Sequence, residues 1–419
     1  MTSGSAPRPP RDADPARIYY AMQGVAAFCY ALCFTVSVIY LATVVGLNPL
    51  QLVLVGTVLE ITCFVCEVPT GIVADLRSRR LSIMIGFALI GLGFLLQGFS
   101  PTFVAVLGAQ VLWGLGSTFT SGATQAWITD EVGEDAIAVV FTLEVRIQLV
   151  AGLLGTVSAG ALSLLDIRLP ILLAGAGFLL LVAFLAWRMP EQGFRPTPIE
   201  RRETFGHMLR TARAGLALAR RNTVVRGLLL ISLITGLASE AFDRLWQVRL
   251  LGDFGLPTLF GRDNPGTWFA LFALIGSLVG LLASVLVGRL GLRRLHDQRP
   301  GRVLAVLAAI DVLGILGLAL FGSLWAALIA VWVKGAAAAV AAPVLGVWLN
   351  RQLPSAIRAT ALSIDSQANA IGQVVGGPPL GWLATRTSPS VALVTAGLII
   401  TPAIVIFALL DRKTGRSAP

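Results

Sequence analysis

The chain has 419 residues, of which 56% are hydrophobic and 13% charged, where a soluble globular domain carries about a quarter charged residues. That composition excludes an ordinary water-soluble fold. The net charge of +10 leaves a nucleic-acid partner open only until the bases are located.

Crossing a hydrocarbon core of about 30 Å takes about 20 apolar residues. Twelve such stretches are predicted: Ile18 to Val44, Leu50 to Ala74, Leu81 to Gly98, Phe103 to Ile128, Ile137 to Leu165, Leu169 to Trp187, Val224 to Leu251, Trp268 to Val287, Val303 to Phe321, Leu324 to Leu349, Ala359 to Ala384 and Val391 to Leu410. The first seventeen residues are rich in Pro, Arg and Asp and precede a span much longer than a signal-peptide core, so no cleaved leader is expected. An integral membrane protein follows, with an amino-terminal tail (1–17), a six-helix bundle (18–188), a linker (189–223), a second six-helix bundle (224–410) and a tail (411–419).

With the amino terminus inside, the outer segments hold only Arg168, Arg249, Arg262 and Arg386, and Arg146, Arg244 and Lys334 fall within spans. Every other Lys and Arg lies on the inner side. This is the positive-inside asymmetry. It places both termini in the cytoplasm and makes lipid headgroups, not nucleic acid, the partner of the basic surface. The four cysteines, Cys29, Cys33, Cys63 and Cys66, sit in the first two spans and read as small packing residues. No disulfide, metal site or cofactor is implied.

The linker begins Met189-Pro-Glu-Gln-Gly and continues into a basic stretch with apolar residues at helical spacing, which predicts an interfacial helix. Sliding the sequence by 221 residues aligns Gly114 with Gly335, Trp127 with Trp348, Glu144 with Asp365, Gln148 with Asn369, Gly155 with Gly376 and Gly160 with Gly381. Spans four and five thus pair with ten and eleven, as a duplicated six-helix unit requires.

Between spans two and three stands Gly71-Ile-Val-Ala-Asp75-Leu-Arg77-Ser-Arg79-Arg80. Asp75 ends one helix and Arg79 and Arg80 open the next, and each charge opposes the helix dipole at its position. Such charges need partners across the loop. Asp130 and Glu131, at the same end of span four, are the candidates for the arginines.

This G-x-x-x-D-x-x-x-R-R pattern resembles the loop signature of the major facilitator superfamily, whose twelve spans and central basic loop cover the chain in the same way. The resemblance implies an all-α membrane fold of two pseudo-symmetric six-helix bundles. It also implies a cytoplasmic gate built from Asp75, Arg79 and Arg80, with Gly71 as a close-packing position. The runs Glu67-Val-Pro-Thr-Gly71 and Ser121 to Glu131 look like those of bacterial drug exporters that exchange protons. Two features depart from that pattern. Gln110 stands where proton-linked members often carry Arg, four residues before Gly114. The Gly-Pro run typical of span five in antiporters is absent there and appears in span eleven, around Gly376-Gly377-Pro378.

Charge inside a bilayer is expensive and tends to be functional. The spans hold Glu60, Glu67, Glu144, Glu240, Asp243, Asp311 and Asp365 against Arg146, Arg244 and Lys334. A carboxyl group withdrawn from water favours its neutral form, so the surplus acids suit proton uptake and release. Glu240 and Arg244, four apart, share a helix face; Asp311 and Lys334 lie at matching depth; Arg146 needs a partner on another helix. Glu60 and Glu67, seven apart, line one face of span two. Glu60 is the leading proton site, followed by Glu67, Glu144 and its repeat mate Asp365.

In the family, spans one, four, seven and ten face the central cavity. The resemblance therefore assigns Tyr30, Gln110, Trp113, Glu240 and Lys334 to a substrate cavity, with Arg146 as a further ligand; Tyr19, Gln23, Gln125 and Trp246 share those helices. The reading is a non-enzymatic, monomeric secondary transporter of the bacterial cytoplasmic membrane that exports a small amphipathic compound in exchange for protons. Two alternatives stay open: an importer or uniporter of an anionic or neutral metabolite, and a non-transporting membrane sensor or assembly partner.

Overall fold

The computed structural model describes residues 14–194, 213, 215–258, 263–289, 299–352 and 355–414. Most of the predicted interfacial helix of the linker, and most of both expected tails, lie outside the described residues.

Polar caps open the first four helices. Asp14 accepts the Ala16 N–H at 3.1 Å ahead of α1 (Pro15–Thr43). Asn48 and Gln51 form a reciprocal capping box at the start of α2 (Pro49–Leu76). Ser78 caps α3 (Arg79–Phe99) and Thr102 caps α4 (Phe103–Thr120). The fourth predicted span is not a continuous rod. It breaks at Ser121, and Gly122, at φ 70°, leads into α5 (Ala123–Val132). Gly133, at φ 84°, turns the chain again into α6 (Glu134–Ser163). Both turns use a backbone region that a side chain would strain. After α7 (Arg168–Arg188) the second half comprises α8 (Thr223–Asp253), α9 (Pro265–Arg289), α10 (Pro300–Leu320), α11 (Leu324–Gln352), α12 (Ser355–Arg386) and α13 (Pro389–Thr414).

Counting α4 and α5 as one, 11 helices among the described residues are long and apolar enough to cross a membrane. The segment expected as the eleventh of twelve spans forms α12, which has 32 residues but is not among them. Its middle carries Asp365, Ser366, Gln367, Asn369 and Gln373, polar side chains that lower its hydropathy, most of them on the wall of a cavity inside the protein.

α1 to α7 close around one core, which includes Met22, Phe87, Phe94 and Phe178, and α8 to α13 close around another with Phe269, Phe272, Trp348 and Phe407. The 221-residue offset is visible in the packing. A Cβ on Gly155 of α6 would stand 2.5 Å from the Phe28 carbonyl of α1, and one on Gly376 of α12 would overlap Leu237 of α8. Five residues on, both partners change to the opposite half: Gly160 meets Ala270 of α9, and Gly381 meets Val53 of α2. Small residues at these positions let helices approach closely.

The two halves therefore touch on the face away from the chain ends. There the Leu50 N–H donates to Thr385 Oγ1 at 2.9 Å, and Thr267 Oγ1 donates to the Gly160 carbonyl at 2.8 Å. Toward the chain-end face, α2 and α12 stand apart around a cavity.

Candidate functional site

The cavity measures about 350 Å³. One wall is α2, with Glu60, Cys63, Phe64 and Glu67; another is the end of α4, with Ser117, Thr118 and Ser121; the third is α12, with Ser366, Gln367, Asn369, Ala370 and Gln373. The seven-residue spacing of Glu60 and Glu67 turns both into it, because two helical turns nearly repeat the azimuth. Asn369 donates to the Ser232 carbonyl at 3.2 Å and accepts from Gln373 Nε2 at 2.7 Å, which fixes the amide wall opposite the acids.

Where α2 crosses α8, at the closed end of this space, Glu240 accepts from Arg244 Nε at 2.9 Å. Glu240 is only 4% exposed, and its carboxylate lies against Gly56 so closely that a methyl group there would overlap it. Glu60, one turn further along α2, is within electrostatic range of both Glu240 and Arg244. Taking an ion pair out of water costs several kcal/mol per charge unless the geometry is good and the remaining polar atoms are satisfied. Here Glu240 holds the guanidinium, and Glu60 from the other half stands within its electrostatic range. Gly56 was not singled out in the sequence, although its position four residues before Glu60 carried the signal.

Glu144 lies elsewhere, sealed between α6 and α1. It is buried and accepts from Tyr19 Oη at 2.8 Å, Gln23 Nε2 at 2.7 Å and Gln148 Nε2 at 2.9 Å. Its repeat mate Asp365 makes the equivalent contact in the other half, accepting from Ser232 Oγ of α8. Neither lines the cavity that Glu60 enters.

None of the expected substrate-cavity residues is on the wall of this cavity, and Lys334 lines a separate one inside the second half. Tyr30 and Trp113 join a ring cluster inside the first half: Tyr30 lies 5.0 Å from Phe178, and Trp113 4.9 Å from Phe34. Aromatic rings gain by such offset and edge contacts. Gln110, 4% exposed, donates to Gln97 Oε1 at 3.1 Å between α4 and α3. Lys334 pairs with Asp311 at 3.1 Å inside the second half, and Glu240 bridges the halves as described. Arg146 is exposed and makes no ion pair among the described residues.

At the chain-end face of the first half, Arg79 forms an ion pair with Asp130 and donates to the Ala126 carbonyl at 2.8 Å. Glu131 pairs with no arginine among the described residues. Its Oε1 accepts the backbone N–H groups of Gln192 and Gly193 at 2.7 and 2.8 Å. Arg80 is met by Glu191, which accepts its backbone N–H at 2.9 Å and the Ser78 hydroxyl at 2.6 Å. The residues after α7 thus form a strap across the loop, pinned also by Trp127 Nε1 donating to the Pro190 carbonyl at 2.8 Å. Glu191 was missed because nothing in local spacing links it to Ser78. Asp75 makes no hydrogen bond or ion pair among the described residues. Gly71, expected as a close-packing position, faces open space, with nothing within 4 Å of a Cβ built there, while Thr70 and Ala74 beside it are buried.

The family model of the Major Facilitator Superfamily matches residues 20–333. A Bacillus subtilis (strain 168) protein described as an uncharacterized MFS-type transporter, YxaM, is 22% identical over 405 residues, covering 94% of this chain and 96% of that one. Among solved structures, a mutant of the nucleoside transporter NupG superposes with a TM-score of 0.75 at 14% identity, covering 96% and 99% of the two chains. A POT family transporter in complex with 5-aminolevulinic acid gives 0.69 at 14% identity, covering 95% and 96%. A bacterial homolog of the human lysosomal transporter Spinster, in an inward-facing and occupied conformation, also gives 0.69 at 14%, covering 96% and 98%. At such identities the structures share the fold alone. Two helical halves with separate cores, spans long enough for a bilayer and a family match over most of the chain lead to one conclusion: the chain belongs to the major facilitator superfamily and is an integral membrane transporter of small molecules, not an enzyme.

Proposed function

We propose that the protein is a secondary active transporter that exports a small amphipathic organic compound in exchange for protons. It works as a monomer in the bacterial cytoplasmic membrane, with both chain ends in the cytoplasm. One observation carries this reading: Glu60 lines a polar cavity at the point where α2 and α12 part, while Arg244, the base in its electrostatic range, is already held by Glu240. A proton on Glu60 removes a negative charge beside the Glu240–Arg244 pair of α8, whose carboxylate packs on Gly56 of α2, so protonation and the contact between halves are linked by Coulomb's law. The acid and amide walls suit a cation that also takes hydrogen bonds. The Arg79–Asp130 pair and the strap hold the first half's helix ends as a unit when the halves rock. A second reading, an importer or uniporter of an anionic or neutral metabolite, is favoured by the exposed Arg146, which has no ion-pair partner among the described residues.

The test uses the full chain in lipid vesicles with a pH-sensitive dye enclosed, challenged with a panel of amphipathic amines identified by a growth screen. Compound movement that collapses an imposed pH gradient supports exchange. Movement with no proton flux removes the proton, and equal accumulation in expressing and empty-vector cells for every compound removes transport by export.

A further inference from the structure

The internal repeat supplies a control for the charges of the second half. A Cβ on Gly93 of α3 would lie 2.8 Å from the Ala109 carbonyl and 3.3 Å from the Trp113 nitrogen, and one on Gly314 of α10 would lie 2.9 Å from the Ala330 carbonyl and 2.7 Å from Lys334 Cβ. Lys334 therefore occupies the place of Trp113, and Asp311 that of Ile90. The matching approaches of Gly155 to Phe28 and Gly376 to Leu237 put Asp243 of α8 in the place of Phe34 of α1. In the first half these places hold rings and an aliphatic chain in contact, with Phe34 and Trp113 4.9 Å apart and Ile90 fully buried. In the second half they hold three ionisable groups around a cavity of about 320 Å³. The fold thus needs no charge at this spot, and placing three ionisable groups there, Asp243 open to the cavity and Asp311 and Lys334 half-buried, is costly inside a bilayer.

The groups are arranged unequally. Lys334 Nζ lies 3.1 Å from Asp311 Oδ1 and 4.1 Å from the centre of the Phe242 ring. Asp243 opens onto the same cavity and has no hydrogen bond or ion pair among the described residues. Facing Asp243 are Lys334 from α11, Asp311 from α10, and Glu240 and Arg244 from its own helix, the last two engaged with each other; α13 lends this cavity only apolar side chains. One ammonium therefore serves two carboxylates, and it sits on Asp311.

We infer that Asp243, Lys334 and Asp311 form a proton-binding site inside the second half, in which Lys334 keeps Asp311 ionised and Asp243 takes a proton from cavity water and returns it. The site goes beyond the exchange assigned to Glu60, and only its coupling to flux rests on that reading. The juxtaposition that carries it is a hollow, charged triad where the repeat unit has a packed aromatic contact.

Infrared difference spectra of the full chain in lipid, recorded through a pH titration without any transported compound, test it. Wild type should show a carboxylic-acid C=O band that titrates and persists in Glu60→Gln. The same band should be lost in Asp243→Asn, kept but displaced in Asp243→Glu, and enlarged in Lys334→Met, where two acids lose their shared cation. A wild-type spectrum without such a band overturns the site, as does an Asp243→Asn or Lys334→Met spectrum that superimposes on wild type. A band that follows sodium concentration rather than pH also overturns it, in favour of a metal cation. If Asp243→Asn does not fold, the Asp243→Glu and Lys334→Met spectra decide. Loss of flux in Glu60→Gln with the band intact would separate a failure at Glu60 from a failure here.

Discussion

Glu60 and Gly56 stand one turn apart on α2, and their roles come from what α8 brings against them. Glu60→Gln keeps the shape of the side chain and removes its charge, so it should abolish proton-driven movement of compound in vesicles while leaving compound binding partly intact. Wild-type flux in that variant would dismiss Glu60. Gly56→Ala puts a methyl group where the Glu240 carboxylate lies. Overpacking of this kind costs about 1–3 kcal/mol, and it should appear as a lowered Tm in detergent together with a broken Glu240–Arg244 pair. The heptad spacing of Glu60 and Glu67 was readable from sequence because helical periodicity is local. The ring contacts of Tyr30 and Trp113 were not, because any aromatic on an inner helix is compatible with either a cavity or a core until its neighbours are known.

At the scale of elements, the strap after α7 decides how the first half's loop is held. Glu191 accepts from both Ser78 and the Arg80 backbone at the start of α3, so Glu191→Ala should cost about 1 kcal/mol, as lost caps do, read as a lower Tm with the Arg79–Asp130 pair intact. Asp75 offers a contrast. With no hydrogen bond or ion pair among the described residues in this conformation, Asp75→Asn should leave stability within about 0.5 kcal/mol. It should still slow transport, measured as turnover in vesicles, if its partner arrives only when the halves close on the chain-end face. Unchanged turnover would reduce the loop to a topological charge cluster. The pairing of Asp130 with Arg79 was legible because both had to lie at the same helix ends. Glu131 turning to the strap was not, since backbone donors carry no sequence label. The break at Ser121–Gly122 was likewise hidden within an apolar run.

For the whole molecule, the contact that closes one face is the lever. Gly381 lies so near Val53 that a Cβ there would be 3.0 Å from the Val53 Cβ, close to the 3.5–4.5 Å that a disulfide requires. In a background with the four native cysteines replaced, Val53→Cys with Gly381→Cys should crosslink on oxidation. The crosslink should lock the halves in the present arrangement and stop flux, with recovery on reduction. Undiminished flux through the crosslinked protein would mean that α2 and α12 need not separate there.

The order of spans, the division into two halves and the 221-residue correspondence were determined by sequence alone, because hydropathy, helix period and repetition act along the chain. The conclusion that this is a membrane protein followed from composition before any contact was known. Only the tertiary structure decided which acids meet a cavity, which are sealed by donors as Glu144 is, and which share a base. A buried charge is defined by the neighbours that other helices bring within a few ångströms, and those come from positions up to hundreds of residues away.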